Sequence, residues 1–167
     1  RNDTFGIGTR RITISTVGIP AAMRRLARHT HHYHLAVSLH AASDALRNQL
    51  VPVNARIGLE EILAVADEYF ELSGRRLTYE YVLLAGLNDQ PPHARELVRL
   101  LRGRPALLNV IPFNPVPGLP YQTPDSAAIR QFRDLLEQGG VNVQFRQRKG
   151  DTIDAACGQL RRADNSV

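Results

Sequence analysis

Short stretches of alternating apolar and polar residues recur along this chain, and each is followed by a stretch whose apolar positions repeat at helical spacing. The segment Arg11-Ile12-Thr13-Ile14-Ser15-Thr16 predicts a first strand, after which Gly18 turns the chain and Pro20 opens a helix to about Arg28, with Met23, Leu26 and Ala27 inward. From His34 to His40 the alternation predicts a second strand, with Leu35, Val37 and Leu39 on one face and Ala36, Ser38 and His40 on the other. The bulky face is expected to meet a covering helix and the small polar face to look inward. Ser43 suits the N-cap of a short helix that ends near Leu50, where Pro52 prevents its continuation. A longer amphipathic helix is predicted from Leu59 to about Leu72, with Leu59, Ile62, Leu63, Ala66, Tyr69 and Phe70 as its stripe and Gly74 as its stop. Leu77–Leu84, Leu107–Asn114 and Val141–Arg148 read as three further strands. Between them, Asn88-Asp89-Gln90-Pro91 opens a helix to Arg102, and a helix from near Asp125 carries Ile129, Phe132 and Leu136 inward to Gly139-Gly140.

Strands that alternate with helices imply parallel βα units, because a parallel neighbour is reached only through a crossover. An open sheet with helices on both faces and part of a βα barrel fit this pattern equally. In either, ligands gather at the C-terminal ends of the strands. That rule selects Ser15 and Thr16, then Ser38 and His40, then Asn114, which offer hydroxyl, imidazole and amide groups, with Gly18 allowing close approach of backbone. Polar residues at strand ends also serve simply as caps and turn formers.

The chain has 167 residues, 43% hydrophobic and 22% charged, which suits one globular domain without a membrane span. Its net charge of +5 is carried almost wholly by arginine, Lys149 being the single lysine. The planar guanidinium matches phosphate, so an anionic partner such as RNA is favoured, against scattered surface charge as the plainer account. One cysteine, Cys157, excludes an internal disulfide and points to a reducing, cytoplasmic setting. Such a thiol is either an inert small side chain or a group kept for its nucleophilicity. Its surroundings, Gly150-Asp151-Thr152-Ile153-Asp154-Ala155-Ala156-Cys157-Gly158, describe a polar turn beside the cations Arg146, Arg148 and Lys149. The tract His29-Thr30-His31-His32-Tyr33-His34 lies in a helix-to-strand connection with no flanking carboxylates, so no metal site is assigned to it. Glu80, mid-strand among apolar residues, either points into a barrel lumen or pairs with an arginine.

Several segments in order carry a resemblance: Ile14-Ser15-Thr16-Val17-Gly18, Val37-Ser38-Leu39-His40, Leu50-Val51-Pro52-Val53-Asn54, Tyr79 to Leu84, Ile111 to Pro115, and Asp154 to Leu160. Together, from about Thr9 to Leu160, they resemble the C-terminal half of the radical S-adenosylmethionine (SAM) RNA adenine methyltransferases of the RlmN/Cfr family. The continuation Pro115 to Tyr121 is more similar to the branch that modifies adenine carbon 2 than to the carbon-8 branch. The resemblance implies a partial (β/α) barrel of parallel strands, with Ser15, Ser38, Leu39, His40 and Asn114 at SAM and Cys157 as the methyl-carrying cysteine. In that family one SAM methylates the thiol, and a second is cleaved at a [4Fe-4S] cluster to a radical that activates the S-methyl group for attack on adenine. A further cysteine then releases the RNA. The implied partners are ribosomal and transfer RNA and an electron donor.

This sequence departs from that pattern in having no CxxxCxxC cluster motif and no resolving cysteine, and in lacking the Gly-Glu-Pro segment that holds SAM's amino group. The expectation is therefore a C-terminal part of a radical SAM core over residues 1–167, without the cluster-binding half and inactive alone. An uncovered sheet edge would then make the isolated chain prone to association. Two alternatives from other classes are a non-catalytic SAM- or RNA-binding remnant and an unrelated cysteine-nucleophile enzyme. The latter lacks a histidine recognisably placed as base for Cys157.

Overall fold

In a computed structural model of the chain, residues 8–146 are described. After a 3-10 turn at Thr9–Arg11 come β1 (Thr13–Thr16), α1 (Pro20–Ala27), β2 (His34–Ser38), α2 (Asp44–Leu50), a 3-10 turn at Pro52–Arg56, and α3 (Leu59–Ser73). Then follow β3 (Leu77–Leu83), α4 (Pro91–Leu101), β4 (Ala106–Pro112), α5 (Ser126–Gln138) and β5 (Val143–Phe145). The first strand is shorter than its alternation predicts, because Arg11 N–H donates back to Gly8 O and closes the turn that precedes it. The strand expected to reach Asn114 ends at Pro112, and β2 ends at Ser38, so Asn114 and His40 both sit just past their strands. The expected helices hold to within a residue or two. Ser43 caps α2 by accepting from Leu46 N–H, and Gly74, at φ 63°, gives α3 its left-handed C-terminal residue.

All five strands are parallel and lie in the order β1-β2-β3-β4-β5. This sequential order separates the two architectures that the sequence left open. A doubly wound sheet must reverse its order somewhere, whereas right-handed crossovers that always advance the same way place every helix on one face. Consistent with that, Met23 and Ala27 of α1, Ile62 and Tyr69 of α3, Leu97 of α4 and Phe132 of α5 share a single core with Leu35, Val37, Tyr79, Tyr81, Leu108 and Val110 of the sheet. The fold is α/β, a partial (β/α) barrel wound in one direction.

The opposite face of the sheet is polar along one level. Backbone register puts Ser38 beside Glu80, Glu80 beside Asn109, and Asn109 beside Gln144, so a row of polar side chains crosses four strands. Asn109 Nδ2 donates to Glu80 Oε2 at 2.8 Å. Burial pushes the Glu80 carboxyl up, with the Asn109 hydrogen bond and the Arg146 charge opposing it. Of the two readings of Glu80 the inward one holds: it faces the inner side of the sheet, and its bonded partner is the Asn109 amide and not an arginine.

Candidate SAM-binding strand ends

At the C-terminal edge of the sheet a second, smaller apolar cluster of Ala41, Leu50, Val51, Val82, Leu84 and Phe113 braces the loops. On it stands the turn after β2. Ser38, Leu39 and His40 are all buried, whereas Ser15 and Asn114 are exposed at the ends of β1 and β4. Leu39 sends its side chain into the helix-side core, so its part in any ligand site is confined to its backbone. His40 has φ 58°, a left-handed conformation unusual for a residue with a Cβ. Its Nδ1 accepts from Val82 N–H at 3.1 Å, which in a neutral imidazole puts the proton on Nε2 and makes that nitrogen a donor. Burial, helped by the charge of Arg47, pushes His40 down to about 4, so the ring is neutral at physiological pH.

Two buried polar side chains that the sequence reading passed over hold this edge together. Arg47 of α2 is fully buried. Its Nε donates to Leu39 O at 3.1 Å, its Nη2 to Val17 O and Ser38 O at 2.7 Å each, and its Nη1 to Asn54 Oδ1 at 2.5 Å. Asn54 in turn donates to Asp44 Oδ1 and Asn48 Oδ1, and Asp44 Oδ1 accepts from Leu59 N–H at the start of α3. One guanidinium therefore ties the ends of β1 and β2 to α2 and, through Asn54 and Asp44, to α3. Burial lowers Arg47 to about 10, which still leaves it charged at neutral pH. The second side chain, Asn88, follows β3; its Nδ2 donates to His40 O at 3.0 Å and to Val82 O at 2.8 Å, and its Oδ1 accepts from Leu84 N–H.

A periodicity signal for Arg47 exists, since it lies one turn before Leu50 on the inward side of α2, and both are buried. Asn54 belongs to a segment already singled out by resemblance, whereas Asn88 reads in the sequence only as part of a helix-opening turn.

Gly18 has a packing role as well. At φ 90°, its missing Cβ would lie 3.0–3.1 Å from three atoms of Ile62, so glycine here permits the close approach of α3. Gly18→Ala is expected to destabilise the fold by about 2 kcal/mol, combining left-handed strain with overpacking. Thermal unfolding would measure it, and an unchanged melting temperature would contradict the packing role.

The histidine tract lies at the other end of the sheet, before β2, and among the described residues no group of three or more His, Cys, Asp or Glu is placed to hold a metal ion. Arg148, Lys149 and Cys157 lie outside the described residues.

No family model matches the chain. A probable dual-specificity RNA methyltransferase RlmN from Rhodopirellula baltica is 64% identical over 165 residues, which cover 99% of this chain and 44% of that protein. The dual-specificity RNA methyltransferase RlmN of Pseudomonas putida is 50% identical over 158 residues, covering 93% of this chain and 41% of that protein. Among solved structures, a radical SAM methyltransferase from Sphaerobacter thermophilus superposes with a TM-score of 0.87 at 46% identity, over 93% of this chain and 46% of that one. A domain of a pyruvate-formate lyase-activating enzyme from Bacteroides vulgatus matches with a TM-score of 0.63 at 15% identity, covering 81% of this chain and 80% of that one, a likeness of fold alone. The chain spans a little under half the length of the curated relatives it matches. By sequence along nearly all its length, and by a fold shared with a radical SAM methyltransferase, this chain is homologous to one part, less than half, of the RlmN-type proteins it matches.

Proposed function

We infer that this chain is the C-terminal part of a radical SAM enzyme that methylates carbon 2 of adenine in ribosomal and transfer RNA in the cytoplasm, drawing on an electron donor. The observation that carries the reading is the buried Ser38-Leu39-His40 turn, shaped by backbone contacts at the C-terminal edge of a parallel sheet, in a chain 64% identical to an RlmN-type protein. The donor set suits SAM. A neutral His40 carrying its proton on Nε2, with Ser15, Ser38 and Asn114 at other strand ends of the same sheet edge, offers hydroxyl, imidazole and amide groups to a polar nucleoside and an amino-acid tail. When bound, SAM supplies the methyl group. Cys157 is the residue proposed to carry it.

The residues present do not form a ligand set for an iron–sulfur cluster, since the chain holds a single cysteine, and no step through that group is derived. The enzyme is tested as a full-length protein. Mass spectrometry of the peptide containing Cys157 is expected to show one added methyl group, and Cys157→Ala is expected to abolish adenine methylation. Persistent methylation in the variant would refute the assigned role. The second reading, a SAM- or RNA-binding chain without this chemistry, is favoured by the cysteine count and predicts SAM binding with an unmodified Cys157.

A further inference from the structure

Three successive carbonyls in the turn after β2 each accept from a fully buried side chain: Ser38 O and Leu39 O from Arg47, and His40 O from Asn88. The amide groups of Leu39 and His40 both donate to Glu80 O, at 2.9 and 3.3 Å, and the imidazole of His40 is tied to Val82 N–H. The backbone of this turn is therefore gripped on three flanks, by β3, by α2 and by the loop after β3. Such a grip holds His40 in a conformation that an L-residue avoids, because in the left-handed region the Cβ crowds the following carbonyl oxygen. Released, His40 would relax toward ordinary backbone angles and swing its ring off Val82.

We propose that Arg47 and Asn88 are positioning residues that set the Ser38-Leu39-His40 turn in its ligand-receiving shape before any ligand arrives; this rests on the SAM reading of that turn. A guanidinium is a costly group to bury, and a merely structural plug at this spot would be cheaper if apolar. What a plug cannot supply is simultaneous donation to three carbonyls on two strand ends, which fixes the turn relative to β1 as well as to its own strand. Asn88 complements it from the opposite side. One amide group donates to the carbonyls of His40 and Val82, so the strand that receives the imidazole and the turn that carries it are fastened by the same side chain. A preset turn leaves SAM with no ordering cost to meet there.

The test uses the full-length enzyme, with nitrogen-15 NMR of the histidine side chains alongside calorimetric titration with SAM, the His40 signals being identified by their loss in His40→Asn. The parent is expected to show a neutral His40 protonated on Nε2 that resists titration well below the ordinary histidine range. Arg47→Lys and Asn88→Ser are expected to weaken SAM binding by about tenfold or more, as follows if the competent shape falls to a tenth of the population. His40 should then titrate closer to its ordinary value in both. A parent His40 that titrates near that ordinary value would overturn the proposal. So would folded variants whose SAM affinity stays within about twofold of the parent's with His40 signals unmoved. A parent that binds no SAM removes the SAM reading of the turn, and the lock is then judged on the His40 signals alone. If either variant fails to fold, the other variant and the titration of the parent decide.

Discussion

Replacing Arg47 with alanine is expected to destabilise the fold by about 4 kcal/mol or more, because it strips donors from several buried acceptors at once, each worth about 1–3 kcal/mol when left unsatisfied. Val17 O, Ser38 O, Leu39 O and Asn54 Oδ1 would all lose their partner, and a side chain that is fully buried would leave a void at the junction of β1, β2 and α2. Against a total stability of about 5–15 kcal/mol for a domain, that loss leaves little margin at physiological temperature. Urea unfolding followed by circular dichroism would register it as a large fall in the midpoint. A loss under about 1 kcal/mol would mean that water replaces the guanidinium, and that the network is ornamental.

Acid should destabilise this fold through His40. The sign follows from the direction of the shift. His40 is lowered to about 4 in the folded chain against 6.5 for an ordinary histidine, so between these values the unfolded chain takes up a proton that the folded one refuses. The contribution is complete above pH 6.5, falls as the pH drops toward 4, and amounts to about 3 kcal/mol over that span. His40→Asn is the informative control. Asparagine tolerates the left-handed backbone and its amide oxygen can still accept from Val82 N–H, yet it has nothing to titrate. Unfolding free energies measured at pH 7 and pH 4 should differ by about 3 kcal/mol more in the parent than in this variant. Parallel pH profiles would show that the imidazole is not sequestered.

Much of the fold could be read in the chain because each βα unit writes its own pattern. Leu35, Val37 and Leu39 announce the helix-facing side of β2, and the stripe from Leu59 to Phe70 announces α3. Register and winding are not local properties, so the choice between an open sheet and a partial barrel had to await the strand order. Alternation alone cannot separate a strand from the turn leading into it, so it runs on over Arg11, which lies in the 3-10 turn before β1. The strand-end residues were legible in the same way, as polar side chains where the alternation stops. Their supports were not. Arg47 and Asn88 hold backbone carbonyls, and a carbonyl is common to every residue, so the partners of these side chains leave no trace in residue type. In isolation Arg47 resembles any cation on a short helix, and Asn88 any turn former.

The polar row across the inner face of the sheet bears on how the strands find one another. Hydrophobic alternation has a period of two, so it resists a slip of one residue but is blind to a slip of two, which keeps every side chain on its proper face. Moving β4 by two residues would set Leu107 or Ile111 opposite Glu80 in place of Asn109. The half-buried carboxylate would then lose the amide that meets it at 2.8 Å, a mismatch that an all-apolar inner face would not register. Ser38, Glu80, Asn109 and Gln144 thus act as alignment marks, telling apart arrangements of the sheet that greasy side chains alone would treat as equivalent.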